Sequence, residues 1–423
     1  MLQIYRCLTI LLFPLAQLLI FFRAIFNKED KLRYKEKIFS SAFRPNRNFK
    51  RKLYWFHVAS VGEFISILPL IEEINSSAKS IDFLITSVTL SSSKLLERKL
   101  GKYNNITHRF FPLDTKTLAG RFLSFWKPDL VFFVDSEIWP NFLFEIKKNK
   151  IPLILINGRI TKKTFNRWSL FPNFAKKVFN NFDLCLASSE ESKKNLEKLQ
   201  IKNIIYIGNL KFSVKNKIEY LNDTNIIKLN KFKTWCAAST HKGEELIILR
   251  SHIEIKKKYS NILTVIIPRH IDRVSYIKNL SEKFNLNSQI LNENDTINTN
   301  TEILIINSFG FLSKYFNYCK NIFIGKSLIK KLELVGGQNP IEAAKSGCKI
   351  FHGPYVYNFK EVYDLLKVYG FSHQVNNETE LSKIIVASLE NPTKIDNQQI
   401  DLLNTHGDNI LEETIKELDK FIK

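Results

Sequence analysis

The sequence predicts an α/β protein of two doubly wound parallel-sheet domains preceded by an N-terminal membrane-anchor helix. Three observations carry that prediction. The chain has 423 residues, more than one hydrophobic core usually organises, and its 44% apolar content is ample for two. Short, fully apolar runs alternate with amphipathic stretches, break at a polar segment near the middle, and restart. An uncharged apolar run near the start is bracketed by arginines and followed by strongly basic sequence.

The N-terminal run, LTILLFPLAQLLIFF (8–22), lies between Arg6 and Arg23. Fifteen residues fall short of the roughly 20 that span a bilayer, but residues 4–26 approach that length if the arginines snorkel. Residues 23–52 hold eleven Lys or Arg against three acidic residues, a local net of +8. No small-residue cleavage site follows the run, so an anchor is expected rather than a removed signal, with the rest of the chain on the cytoplasmic face. The basic stretch is expected against anionic lipid headgroups. A buried core helix is the alternative reading.

The runs LYWFHV (53–58), IDFLIT (81–86), DLVFFV (129–134), IPLILI (151–156), FDLCLA (182–187) and NIIYIG (203–208) form the first series. TWCAAS (234–239), ILTVIIP (262–268), EILIIN (302–307), NIFIG (321–325) and CKIFHG (348–353) form the second, beyond a polar stretch at 211–233. Fully apolar strands separated by helices signify parallel sheets covered on both faces. The expected division is an anchor at 1–27, a Rossmann-like domain at 28–210, a second at 211–395, and a closing helix at 396–423 that packs back at the domain junction. Two such halves facing a cleft describe a GT-B architecture, shared with other two-domain nucleotide enzymes. Residues 285–301, NLNSQILNENDTINTNT, read as a polar surface loop.

The net charge of +22 favours anionic partners: nucleic acid, acidic lipid or phosphorylated substrate. No RNP-like aromatic and basic motif supports nucleic acid. The five cysteines, 7, 185, 236, 319 and 348, are dispersed, without metal-ligand spacing, and read as reduced thiols.

In open α/β sheets ligands sit beyond the carboxyl ends of strands, and the loops there are unusual. HVASVGEF (57–64) places Ser60 and Gly62 in a small-residue turn and Glu63 at a helix start, where it either acts as a general base or caps the first turn. DSEIWPN (135–141) supplies Glu137, NGRIT (157–161) supplies Arg159, and GNLKF (208–212) supplies Lys211. The second half offers ASTHKGEE (238–245) with Ser239, Thr240 and His241, and PRHIDR (268–273) with Arg269 and His270. VGGQNPIEAA (335–344) follows, then FHGPYVYNF (351–359). Gly336 and Gly337 in the GGQNP turn are expected to expose backbone N–H groups to a phosphate, with Asn339 beside them and Glu342 one turn on for ribose hydroxyls.

Eight such loops in this order resemble the Kdo transferases of lipopolysaccharide synthesis, glycosyltransferase family 30. The family's pattern reads HAASVGE, ExELWPN, NARLS, GNLKF, AxSTHxGEE, VPRH, GGHNPLE and GPH, and the likeness covers nearly the whole chain. It implies inverting transfer of Kdo from CMP-Kdo to the lipid A precursor lipid IVA. Glu63 would be the base, supported on the acceptor side by Ser60, Gly62, Glu137 and Arg159. Lys211, Arg269 and the 336–339 turn would hold the donor's phosphate and carboxylate, while Ser239, Thr240, His241 and Glu342 line the nucleotide. It implies no metal and no cofactor beyond the CMP-Kdo substrate, and no nucleic-acid partner. It places the enzyme at the bacterial inner membrane, cytoplasmic face, among anionic lipids.

The chain departs from that pattern at Asp135 for the first Glu, Lys326 for a glycine and Gln338 for a histidine, and His352 and Tyr355 alter the GPH neighbourhood. Glu63, Lys211, Arg269 and Glu342 are retained, so an active enzyme is expected. The competing readings are a nucleotide-sugar enzyme with another sugar, including an epimerase, and a basic membrane-surface scaffold.

Overall fold

The computed structural model describes residues 1–422 except 46, 78–80, 102, 217–219, 309, 311 and 393–394, and leaves the side chains of 91, 94, 95 and 98 undescribed. Residues 217–219 of the expected connector therefore lie outside the described residues. The chain forms two compact units, residues 1–214 with 406–423, and residues 215–405.

The first unit is built on seven strands: β1 (Lys52–Val58), β2 (Ile81–Ser87), β3 (Ile106–Phe110), β4 (Leu130–Val134), β5 (Leu153–Gly158), β6 (Leu184–Ala187) and β7 (Ile204–Tyr206). All pair in parallel in the order β3-β2-β1-β4-β5-β6-β7. The order reverses between β1 and β4, which makes that strand end the topological switch point. Trp55, Phe56, Phe132 and Phe133 are buried in these two strands, and Phe56 stacks on Phe132 at 4.3 Å. Helices cover both faces, so the central strands are apolar on both sides.

The second unit repeats the plan with β8 (Lys233–Thr240), β9 (Ile262–Pro268), β10 (Ser288–Leu291), β11 (Ile303–Ile306), β12 (Asn321–Ile324), β13 (Lys349–His352) and β14 (Ser372–Gln374). These are parallel in the order β10-β11-β9-β8-β12-β13-β14, and the switch point lies between β8 and β12.

Several boundaries differ from the sequence expectation. The unit break falls at Val214/Lys215 rather than 210/211, because Leu210–Ser213 forms a short 3-10 turn packed on the helix Val61–Ser77 of the first unit. The closing helix, Asn397–Leu418, contributes residues from His406 onward to that unit. There Gly407 lies so near the Phe212 carbonyl that a Cβ would stand 2.0 Å from it. The expected loop at 285–301 contains β10, and the polar connector contains the helix Asp223–Leu229.

The expected single anchor is two helices, Leu2–Leu11 and Phe13–Ile25, bent by 48°. Pro14 opens the second helix, lacking the N–H that would continue the first. Among the described residues no single helix is long and apolar enough to cross a membrane. The first helix is hooked to the domain instead. The Tyr5 hydroxyl donates to Asp114 (2.7 Å), the Arg6 guanidinium meets Glu145 (3.1 Å), and the Asn141 amide donates to Thr9 (3.3 Å). Residues 1–27 are thus part of the first unit. The basic stretch is partly spent inside the protein: Lys37 and Arg23 pair with Glu29, and Arg33 pairs with Glu36 and Glu97.

Candidate active site

In the first unit the switch point gathers three carboxylates. β1 ends at Val58, and Ser60 caps the helix Val61–Ser77. Glu63 reaches back in the manner of a capping box. Its carboxylate accepts from the Ala59 N–H (2.7 Å) and the Ser60 hydroxyl (2.8 Å), while its own N–H donates to the Ser60 oxygen (3.3 Å). Both readings of Glu63 left open by the sequence are therefore compatible, since the capping geometry fixes the carboxylate without neutralising it. Burial pushes the Glu63 carboxyl up to about 7, the Asp135 and Glu137 charges push the same way, and the two hydrogen bonds only partly oppose them.

Asp135 follows β4 with a left-handed backbone (φ 59) and is 7% exposed. Its Oδ2 lies 3.7 Å from the Lys211 Nζ. Lys211 is brought there by Asn157, whose side-chain oxygen accepts the Leu210 N–H (3.0 Å). The Arg159 N–H in turn donates to the Asp135 carbonyl (3.1 Å). The loops containing Arg159 and Lys211 are thereby tied to this site, and Lys211 belongs with Glu63 and Asp135 rather than with the second unit, where the sequence reading placed it.

Glu137 is bound differently. Its Oε2 accepts from the Trp139 indole (2.9 Å) and lies 3.4 Å from His57 Nε2, in a geometry poorly directed for a hydrogen bond. Burial pushes its carboxyl up, but His57 and Trp139 outweigh that and hold it below the ordinary value. His57 is fully buried, stacked on Phe111 (3.8 Å), with Nδ1 on the Thr86 hydroxyl (3.0 Å). A Cβ on Gly62 would meet nothing within 4 Å, so glycine there leaves open space rather than relieving a clash.

In the second unit the organiser is Glu244, which the sequence reading did not single out. Fully buried, it accepts the N–H groups of His241 (2.9 Å), Lys326 (2.7 Å), Ser327 (2.8 Å) and Leu328 (3.1 Å), stitching the loop after β8 to the loop after β12. The neighbouring Glu245 holds Arg273 through two bonds (3.0 and 2.9 Å). Two adjacent acids at a helix start were the available signal.

Ser239 (φ 57) and Lys326 (φ 60) are left-handed, and the Arg269 N–H donates to the carbonyl of the buried Thr240 (3.1 Å). The His241 ring bonds the Ser239 carbonyl through Nδ1 (3.0 Å) and lies 5.9 Å from the His270 ring. Burial lowers the His241 pKa; the Ser239 bond opposes this, while Lys326, His270 and Arg269 add to it.

The GGQNP turn works otherwise than expected. The Gly337 N–H is already used by the Lys326 carbonyl (2.7 Å), and a Cβ on Gly336 would stand 2.0 Å from the Tyr355 carbonyl. Both glycines permit close backbone packing, and Gly337 is not a free donor. The Asn339 side chain accepts the Ile341 N–H (3.1 Å), opening the five-residue helix Ile341–Lys345 that carries half-buried Glu342. Among the described residues no three His, Cys, Asp or Glu side chains gather as a metal-holding group.

Two parallel-sheet units with their motif loops at the switch points define a two-domain α/β enzyme of the GT-B type. The putative UDP-N-acetylglucosamine 2-epimerase from Listeria monocytogenes shares the fold, with a TM-score of 0.60 at 12% identity over 88% of this chain and 96% of that one. So does the UDP-GlcNAc 2-epimerase from Neisseria meningitidis, with a TM-score of 0.53 at 15% identity over 88% and 100%. Sequence narrows the class. Residues 32–214 match the family described as 3-deoxy-D-manno-octulosonic-acid transferase (kdotransferase). The 3-deoxy-D-manno-octulosonic acid transferase of Rickettsia bellii is 34% identical over 84% of this chain and 82% of its own length. That of Haemophilus influenzae is 27% identical over 80% and 79%. The chain belongs to the Kdo transferase family of glycosyltransferases.

Proposed function

We propose that the protein transfers Kdo from CMP-Kdo to lipid IVA during lipopolysaccharide synthesis, by inverting displacement that needs no metal. The observation that carries the reading is the Glu63 carboxyl, fixed at the switch point and raised to about 7. A base poised near neutrality takes a proton from a hydroxyl most effectively in the transition state.

Glu63 removes the acceptor hydroxyl proton as that oxygen bonds to the anomeric carbon, and the bond from that carbon to the CMP phosphate oxygen breaks on the opposite face. Lys211 supplies a cation beside the reacting centre, with Ser60, Gly62, Glu137 and Arg159 supporting the acceptor. Ser239, Thr240, His241 and Arg269 receive the nucleotide and its phosphate, Gly336, Gly337 and Asn339 shape that surface, and Glu342 accepts from ribose. No cofactor enters beyond the donor itself.

We also place the enzyme on the cytoplasmic face of the inner membrane, held by its N-terminal helix pair lying along the bilayer. Ile4, Leu8, Leu11, Leu15, Leu19 and Phe22 are exposed, while Tyr5, Arg6 and Thr9 are bonded into the domain, an arrangement suited to interfacial insertion rather than crossing.

The test is a transfer assay with detergent-solubilised protein, lipid IVA and CMP-Kdo generated in situ, with and without EDTA, reading product mass. Mass increments of whole Kdo units that survive EDTA are expected. Loss of product on chelation, restored by a divalent cation, would refute metal independence. No product while CMP still binds would refute the assigned sugar or acceptor.

A further inference from the structure

We propose that the helical hairpin leaving β5 is a second membrane-contact element, inserting Leu170 and Phe171 into an anionic bilayer surface. The hairpin consists of the helices Lys162–Ser169 and Pro172–Phe179. Its inner side is ordinary core: Ala175, Val178 and Phe179 are buried, and Phe165, Trp168 and Phe174 pack partly against the same cluster. Its tip is not. Leu170 is 72% exposed and Phe171 51%, adjacent in sequence at the turn and flanked by exposed Ser169, Pro172 and Asn173. Leu170 leaves most of its surface, and Phe171 about half, outside the packing of the domain, and adjacent exposed apolar side chains of this size mark an interaction site.

Charge identifies the occupant. Residues 159–182 contain Arg159, Lys162, Lys163, Arg167, Lys176 and Lys177 and no acidic residue, a run of +6. Lys163, Arg167, Lys176 and Lys177 are exposed, within about one or two helical turns of the tip on either arm. An apolar tip collared by cations fits a layer that is apolar within and anionic at its surface, the pattern of interfacial membrane segments. A protein partner complementary to the same tip would have to offer an apolar socket ringed by acids.

Position agrees. The hairpin begins four residues beyond Gly158, at the carboxyl edge of the sheet where Glu63 and Asp135 lie. The Phe174 ring meets the Tyr5 ring of the first N-terminal helix at 6.1 Å, so the two apolar elements are neighbours on one rigid base. The inference rests on the membrane reading above only for this continuity. Two insertion points on one edge fix the tilt of the unit on the bilayer, which a single helix pair leaves free, and so hold the carboxylate edge toward lipid-borne acceptors.

The experiment uses the full chain with Cys7→Ser, which removes the exposed thiol, and Leu170→Cys labelled with an environment-sensitive fluorophore; the other cysteines are buried. The protein is mixed with vesicles of phosphatidylcholine alone or with half phosphatidylglycerol. Expected are a blue shift of the label and its protection from iodide with the anionic vesicles. Combined Arg167→Gln and Lys177→Gln substitution should then weaken binding to those vesicles by roughly tenfold. A label that stays iodide-accessible while the protein floats with the vesicles overturns the hairpin proposal and leaves the N-terminal helices as the only attachment. An equal shift with neutral vesicles overturns anionic recognition. Transfer to lipid IVA in detergent micelles reports the active site separately and is expected to be unchanged by these substitutions.

Discussion

Glu63 gives the sharpest test, because its geometry predicts a linked change in stability and rate. An acid whose folded pKa is about 7 against an ordinary 4.5 is protonated more readily in the folded state. Below pH 4.5 folded and unfolded chains both carry the proton and the site costs nothing. As pH rises from 4.5 to about 7 the unfolded chain loses its proton first, so stability falls, and above 7 the whole penalty is present. That interval corresponds to about 3 kcal/mol, reduced to roughly 2–3 kcal/mol for a carboxyl still partly reached by water.

Glutamine is the neutral isostere of the protonated acid and can still accept the Ala59 N–H. Glu63→Gln should therefore stabilise the first unit by roughly 2 kcal/mol at pH 8 and by almost nothing at pH 4.5. The same substitution should lower turnover by roughly 10²-fold or more. Wild-type kcat/KM should climb about tenfold per pH unit up to about 7 and then level. Denaturant unfolding of both proteins between pH 4.5 and 8, beside the transfer assay, reads all three. Parallel stability profiles for wild type and variant would refute the raised ionisation, and turnover near normal would remove Glu63 from the chemistry.

Removing Glu244 by Glu244→Ala strands four backbone N–H groups, of His241, Lys326, Ser327 and Leu328, at about 1–3 kcal/mol for each that water cannot reach. The expected result is an early-melting second unit with CMP affinity lost by calorimetry; unchanged affinity would show that the two loops hold themselves. Arg6→Ala uncovers Glu145, whose side chain is only 6% exposed. It should loosen the first helix by about 1–3 kcal/mol, read as faster proteolysis within residues 1–27 in detergent, and an unchanged cleavage rate would argue against the hook.

The sequence made the central strands plain and hid the edges for one physical reason. β1, β4, β8 and β12 are covered on both faces and so read as unbroken apolar runs. β3, β10 and β14 are sheet edges, with residues such as Thr107, His108, Gln289 and His373 partly or fully exposed, and their polar character concealed them. The break between the N-terminal helices was written in Pro14, which an apolar count passes over. The motif loops were legible as places, but not as bonds. Gly337 looked like a phosphate donor because glycine exposes backbone, whereas its N–H is closed by a carbonyl 11 residues back in the chain, at Lys326. Glu244 looked like one of two helix-start acids because nothing local reveals that three of its four partners lie more than 80 residues away.

Three carboxylates share the first unit's switch point, and two of them, Glu63 and Glu137, are displaced in opposite directions. Asp135 faces the Lys211 ammonium at 3.7 Å. Glu137 is held below its ordinary value by His57 and Trp139, which makes it a fixed negative charge and a poor proton acceptor near neutrality. Both charges then bear on Glu63, the member of the three pushed to about 7. Neighbouring acids driven apart in this way divide the labour between a permanent charge and a proton carrier. On this argument, neutralising Glu137 by Glu137→Gln should lower the pH at which kcat/KM levels, because Glu63 loses one of the charges that raises it. A plateau that moved upward instead would mean Glu137 acts on the reaction by a route other than its field.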